Sequence, residues 1–303
     1  ILDVNMPRMD GLELLQKLKQ DQIKATVIMV STTTVRDADV TMRAMELGAI
    51  DFVTKPGNII EAKGDSFRTS LLAVLTAILK VRSTVTPRMT ADRKSPVSTR
   101  VHTATQNPVR GKKLVALACS TGGPKALQSV IPKLPANLNA PVVLVQHMPV
   151  GFTKSMADRL NELSKVSVKE AEEGDILQNG WVYVAPGGKH LEVAKMPDGR
   201  HKIVFNDMPA IGGLKPCANV MYDSLRQSGY EQIVCVVLTG MGADGTNGIL
   251  SLEKKKPVYV IAQDAQSCVV YGMPKAIYEA GAVDEVVTLT EIASTITKRV
   301  GVQ

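Results

Sequence analysis

The chain has 303 residues, a net charge of +7 and only 4% aromatic side chains. That length predicts about two domains, each able to bury a core. Eight basic residues against one acid from Arg82 to Lys113 account for the whole positive excess, and no aromatic residue interleaves them, so the charge marks a solvated segment and excludes a nucleic-acid binder. The four cysteines stand apart without metal-ligand spacing, which argues against a disulfide framework or a zinc site and fits a reducing compartment. The longest apolar run, "SLLAVLTAIL" at 70–79, falls short of the roughly 18 residues a membrane helix needs, and no signal-peptide pattern opens the chain. A cytoplasmic protein with no membrane insertion is expected.

The first residues begin inside an apolar, strand-like run and turn at Pro7 and Gly11 into a helical pattern, so the chain reads as one whose first domain lacks its start. A strand at 25–31, a helix at 36–48, a short strand at 49–56 and a helix over about 66–82 follow. Such alternation predicts a parallel sheet with helices on its faces. From 83 to 111 the Ser, Thr and Pro content rises and apolar periodicity vanishes, the composition of a flexible linker. Strands are expected again at 113–119, 141–146, 181–186, 233–240 and 257–263. Two further segments, "KHLEVAK" and "HKIVFND", flank an Asp-Gly turn and read as a β-hairpin. The fold class is therefore α/β, with two doubly wound parallel-sheet domains at 1–82 and 112–303.

In open parallel sheets the chemistry lies beyond the carboxyl ends of the strands. In the first half Asp3, Ser31 and Lys55 fall at such ends, a set suited to phosphoryl transfer onto a carboxylate. In the second half the strand ending at Cys119 runs into "STGGPKAL", a tight glycine turn before a helix. That corner is neither the G-x-S-x-G elbow nor a P-loop, and on pattern alone it suits a phosphate or a reactive hydroxyl equally. A nucleophilic Ser120 needs a base and an orienting carboxylate. Of the four histidines, His102 lies in the linker and His190 and His201 on the hairpin, whereas His147 directly follows a strand. Asp207, Asp244 and Asp264 all stand at strand ends; the glycine-rich turn around Asp244 favours it modestly. Cys119 reads as a core strand residue.

The motifs then carry a resemblance. "LDVNMPRMDG", "VIMVSTTT" and "ELGAIDFVTKP" are similar to the later two-thirds of a response-regulator receiver domain, flavodoxin-like in fold. "CSTGGPKAL", "VVLVQHMPVGFTKSMADRL", "VYVAPGGKHLEV", "VVLTGMGADGTNG" and "VIAQDAQSCVVYGMPKAI" resemble the Rossmann-like catalytic domain of the chemotaxis response regulator protein-glutamate methylesterases. The resemblance implies Asp3 as phosphoacceptor, Ser31 as switch hydroxyl, Lys55 as phosphate contact and a cis bond before Pro56. It implies Ser120 as nucleophile, His147 as general base and acid, Asp244 as its orienting carboxylate, and the Thr121 and Met241 amides as oxyanion donors. Catalysis would need no cofactor, while phosphorylation of an intact receiver would use Mg²⁺. The implied partners are methyl-accepting chemotaxis receptors as substrate and the chemotaxis histidine kinase as phosphodonor, with the chain a monomer. A nucleotide-binding sheet and a non-catalytic, phosphorylation-controlled scaffold are the rival readings; no acidic ribose partner follows the glycine turns at the expected offset, which weighs against the first.

Overall fold

A computed structural model describes residues 1–56, 66–83 and 111–303, so most of the expected linker, with His102, lies outside the described residues. The first half forms a three-stranded parallel sheet from β1 (Leu2–Asp3), β2 (Ile28–Ser31) and β3 (Asp51–Thr54), in that order. Helices α1 (Gly11–Gln20), α2 (Val35–Glu46) and α3 (Ser66–Ser83) accompany it. Local chemistry sets the helix starts: the Asp10 carboxylate accepts from the Glu13 N–H while the Glu13 carboxylate returns the bond to the Asp10 N–H, and the Thr34 hydroxyl accepts from the Asp37 N–H.

The second half is built on a seven-stranded sheet. Its strands are β4 (Lys113–Cys119), β5 (Val142–Gln146), β6 (Ser167–Glu170), β7 (Trp181–Val184), β10 (Gln232–Val237), β11 (Val258–Gln263) and β12 (Glu285–Val287). They lie in the order β12-β11-β10-β4-β5-β7-β6, all parallel. The central strands are apolar on both faces because each face is covered by helices. Along β4, Val115, Leu117 and Cys119 enter one core, while Leu114, Ala116 and Ala118 enter the other. Each buried Val or Leu contributes roughly 1.5–3 kcal/mol, which fixes the register, since a one-residue slip would exchange the two faces.

The helices of this half are α4 (Gly123–Val130), α5 (Phe152–Leu163), α6 (Ala218–Ser224), α7 (Thr246–Glu253), α8 (Met273–Glu279) and α9 (Ile292–Val300). The expected hairpin forms β8 (His190–Lys195) and β9 (His201–Asn206), an antiparallel sheet of its own that packs on α6. His190 and His201 are both buried. Among the described residues no helix is long and apolar enough to cross a membrane.

The two halves pack together through α2, β3 and α3. Ala38 and Met42 of α2 share a core with Phe152 and Met156 of α5, and Phe52 of β3 stacks on Phe152 with ring centroids 4.5 Å apart. Arg159 pairs with Glu46 at 2.8 Å, and the Gln128 amide donates to the Met42 carbonyl at 3.0 Å. One expectation is corrected: the Lys55–Pro56 bond is not cis, the cis bond among the described residues being Lys215–Pro216. The trans preference of an X–Pro bond is only about 0.5–1 kcal/mol, so local context decides it and the dipeptide alone cannot.

Candidate active site

Three adjacent strands, β10, β4 and β5, end side by side where the sheet order reverses. Their ends are tied across: the Ser120 N–H donates to the Thr239 carbonyl at 3.0 Å, and the His147 N–H donates to the Cys119 carbonyl at 3.1 Å. The structure therefore gathers Ser120, His147 and Asp244, which sequence separates by up to 124 positions, on one rim. His147 Nε2 lies 2.8 Å from Asp244 Oδ2, with both side chains almost fully buried. With Nε2 donating to the carboxylate, Nδ1 is the ring nitrogen left to act as base. Ser120 and His147 line a common cavity of about 200 Å³, and among the described residues the Ser120 hydroxyl has no hydrogen-bond partner.

Asp244 is held by more than the histidine. Its Oδ2 accepts from the Ala218 N–H at 2.6 Å, and its Oδ1 accepts from the Asn219 N–H at 3.1 Å, the Gly245 N–H at 2.9 Å and the Cys217 thiol at 3.1 Å. Burial alone would raise its pKa, but the His147 bond and the Ala218 amide outweigh that and hold the carboxyl at about 2. It is thus a fixed negative charge wherever the protein works. The Asn219 side-chain oxygen accepts from the Gly245 and Gly248 amides, clamping the turn that carries Asp244. Burial, then the Asp244 charge and bond, push the Cys217 thiol up to about 11, so it serves as a donor and not as a thiolate. Sequence reading missed both residues, because "CAN" lies 25 or more positions from Asp244 and has no pattern of its own.

The glycine corner is set by packing. Gly122 sits at φ +77°, where a β-carbon would also strike the Val269 side chain at 2.5 Å. A β-carbon on Gly123 would fall 1.9 Å from Gln146 Oε1. Gln146, nearly fully buried, donates through Nε2 to the Ser120 carbonyl at 3.1 Å and to the His147 carbonyl at 2.9 Å, while its Oε1 accepts from the Cys119 thiol at 3.0 Å. It joins the backbone of Ser120 and His147. Gly123→Ala is accordingly expected to cost about 1–3 kcal/mol in denaturant unfolding through overpacking, and to displace Gln146; unchanged stability and activity would show that the corner has room.

Thr121 lines the cavity and Met241 is half-exposed beyond β10. Among the described residues neither backbone N–H donates to a protein acceptor. Asp264 instead caps its own turn, accepting from the Ser267 N–H and hydroxyl, and Asp207 lies in the exposed loop after the hairpin.

On the rim of the three-stranded sheet, Lys55 Nζ lies 2.6 Å from Asp3 Oδ2, so these two expected partners meet. Ser31 does not join them. It is fully buried, accepts from the Thr41 hydroxyl at 2.9 Å and donates to the Asp37 carbonyl at 3.3 Å, facing α2. No group of three or more His, Cys, Asp or Glu side chains able to hold a metal ion occurs among the described residues, and Asp3 beside Lys55 does not by itself make a magnesium site.

A hydroxyl, an imidazole and a buried carboxylate at the switch point of a parallel sheet, joined to a receiver-like half, define the class: a two-domain α/β chain with a serine-hydrolase type of site. Comparison with known proteins narrows it. The CheB methylesterase family matches residues 115–296 and the response regulator receiver domain matches residues 1–63, and the chain belongs to the CheB methylesterase family. It is 41% identical to the protein-glutamate methylesterase/protein-glutamine glutaminase of Geobacillus kaustophilus over 99% of this chain and 84% of the relative. It is 42% identical to the protein of the same name from Bacillus subtilis, over 98% and 83%. The crystal structure of the Thermotoga maritima CheB methylesterase catalytic domain is similar at a TM-score of 0.59 and 39% identity, covering 62% of this chain and 99% of that one.

Proposed function

We propose that the chain hydrolyses glutamate γ-methyl esters on methyl-accepting chemotaxis receptors, releasing methanol, and deamidates glutamine side chains at the same site. The observation that carries this reading is the buried His147–Asp244 pair, 2.8 Å apart, opening on the same cavity as Ser120. His147 Nδ1 takes the Ser120 proton as Oγ attacks the ester carbonyl; the proton passes to the departing methoxide as the C–O bond breaks. Water, deprotonated by the same nitrogen, then attacks the glutamyl ester and restores Ser120. The Thr121 and Met241 amides are the proposed donors to the oxyanion formed in both halves of the reaction. With a glutamine side chain, the C–N bond breaks and ammonia leaves instead.

The proposed domain limits are 1–82 for the receiver, 83–111 for the linker and 112–303 for the esterase. Asp3 is the proposed phosphoacceptor, with Lys55 as phosphate contact and Ser31 as a hydroxyl that must turn from α2 to serve as the switch. Magnesium belongs to this reading only as the ion that receiver phosphorylation would use, and Asp3 is the one carboxylate the reading assigns to it. The chemotaxis histidine kinase is the proposed phosphodonor, and the protein is placed in the cytoplasm as a monomer. In the closed arrangement β3 and α3 wall the cavity of Ser120 while α2 packs on α5 beside it, so the receiver is read as a cover that phosphorylation lifts. A fluorophosphonate probe is expected to label the full-length protein on the peptide that contains Ser120, and faster after acetyl phosphate treatment; labelling elsewhere, or none in either state, would contradict the reading.

A further inference from the structure

The receiver half sends one buried carboxyl group into the cavity of the nucleophile. Asp51 opens β3 and is only 7% exposed. Its Oδ2 accepts from the Gly122 N–H at 3.3 Å, two residues past Ser120, and its Oδ1 accepts from the Phe52 N–H at 2.9 Å. Among the described residues it forms no ion pair with any cation. Among the described side chains, the charged and titratable groups on the elements packed around it are His147 after β5, Lys125 on α4, Arg68 on α3, Lys154, Asp158, Arg159 and Glu162 on α5, and Lys55 beyond its own strand. Lys154 and Arg159 are engaged with Asp158, Glu46 and Glu162, and Lys55 with Asp3. A carboxylate buried without a cation is costly, and a structural ion pair does not explain why one should face the catalytic corner.

We propose that Asp51 is a latch: seated on the Gly122 amide beside the nucleophile, its carboxyl group holds the receiver over the cavity and makes that closure sensitive to protonation. The inference rests on the reading that the receiver covers the esterase site. Protonated, the carboxyl still accepts the Gly122 N–H through its carbonyl oxygen and buries no charge. Ionised, it must either bury the charge or leave for water. Burial pushes its pKa up to about 7, against the opposing pull of the Phe52 and Gly122 amides, whereas in an opened, hydrated state it returns toward the ordinary value of 3.8. The closed state therefore binds the proton more tightly. Opening becomes more favourable as pH rises from the open-state value toward about 7, by up to about tenfold per pH unit, and levels off above it.

The test measures fluorophosphonate labelling of Ser120 in the full chain, in wild type and in Asp51→Asn, across pH 6 to 8. The asparagine keeps a carbonyl acceptor for Gly122 and carries no charge; its NH₂ then faces the Phe52 N–H, a contact inside β3 whose loss does not vary with pH and so leaves the slope of the ratio unchanged. Any pH dependence of the labelling chemistry itself is shared by the two proteins and divides out of the ratio of their rates. Asp51→Asn is expected to label more slowly throughout, and the wild-type to mutant ratio to rise by up to about tenfold between pH 6 and 8. Arg159→Glu, which sets like charge against Glu46 at the exposed edge of the same interface, separates the two levels of the account. If Arg159→Glu raises labelling while the Asp51→Asn ratio stays flat at one, the receiver still covers the site and the latch is overturned. If neither variant changes labelling at any pH, the covering reading falls with it.

Discussion

Replacing Ser120 by alanine is expected to lower methyl-ester hydrolysis about 10⁴-fold or more, to a background set by binding and oxyanion stabilisation alone. The size of the effect follows from the site. His147 and Asp244 are assembled independently of the serine, and the Ser120 hydroxyl makes no hydrogen bond among the described residues. The alanine variant should therefore unfold close to where wild type does, since no donor or acceptor is orphaned by the change. A fall in rate with an unchanged melt identifies chemistry as the thing lost; parallel losses in both would mean that Ser120 supports the corner and does not attack. Deamidation of glutamine should vanish in the same variant, because both reactions pass through the same acyl-enzyme.

Asp244→Asn is the second large effect, and it acts through geometry as much as charge. Both carboxylate oxygens are surrounded by donors: His147 Nε2–H and the Ala218 N–H at Oδ2, and the Cys217 thiol with the Asn219 and Gly245 N–H groups at Oδ1. An asparagine NH₂ at either position points a donor at donors. If it faces His147, the imidazole must turn to the tautomer that carries its proton on Nδ1, and the base is lost. We expect kcat to fall about 10⁴-fold with KM little changed, as for removal of the orienting carboxylate in a catalytic triad. Stability should fall by about 1–3 kcal/mol for the amide left unpaired. The wild-type carboxylate, held at about 2, contributes stability that is complete above its unfolded value near 4 and is lost as pH falls toward 2; the asparagine variant should lack that acid limb. A KM effect without a kcat effect would place Asp244 in substrate binding instead.

Much of this was legible because the central strands announce themselves. β4, β5, β10 and β11 are buried on both faces, so their apolar runs are uninterrupted and their ends are sharp, and the chemistry begins where the apolar run stops. β6 and β12 were invisible for the complementary reason. They are the two edges of the seven-stranded sheet, and "SVKE" and "EVV" have partly exposed side chains that read as loop. The hairpin was found from its Asp-Gly turn, a local signal that needs no knowledge of the rest of the fold.

What stayed hidden at the site is what the tertiary structure alone brings near. Asn219, Cys217 and Gln146 act by holding other residues, and no spacing rule marks a residue whose partners lie far along the chain or in its backbone. Asp51 is a sharper case. In "AIDFVTKP" it reads as the first residue of a short strand, and only the packing of the two halves turns it toward Gly122. Ser31 shows the limit from the other side: its place at a strand end is right, yet whether its hydroxyl faces the Asp3–Lys55 pair or α2 depends on a side-chain rotation that sequence does not encode.

The most direct test of the central claim is methanol release from receptor fragments that carry glutamate γ-methyl esters, followed with the full chain and with Ser120→Ala. The account predicts methanol in amounts matching the esters lost from the receptor, with release in the serine variant at background. Equal release by both proteins, or covalent capture of Ser120 by a fluorophosphonate without any methanol from the receptor, would contradict it.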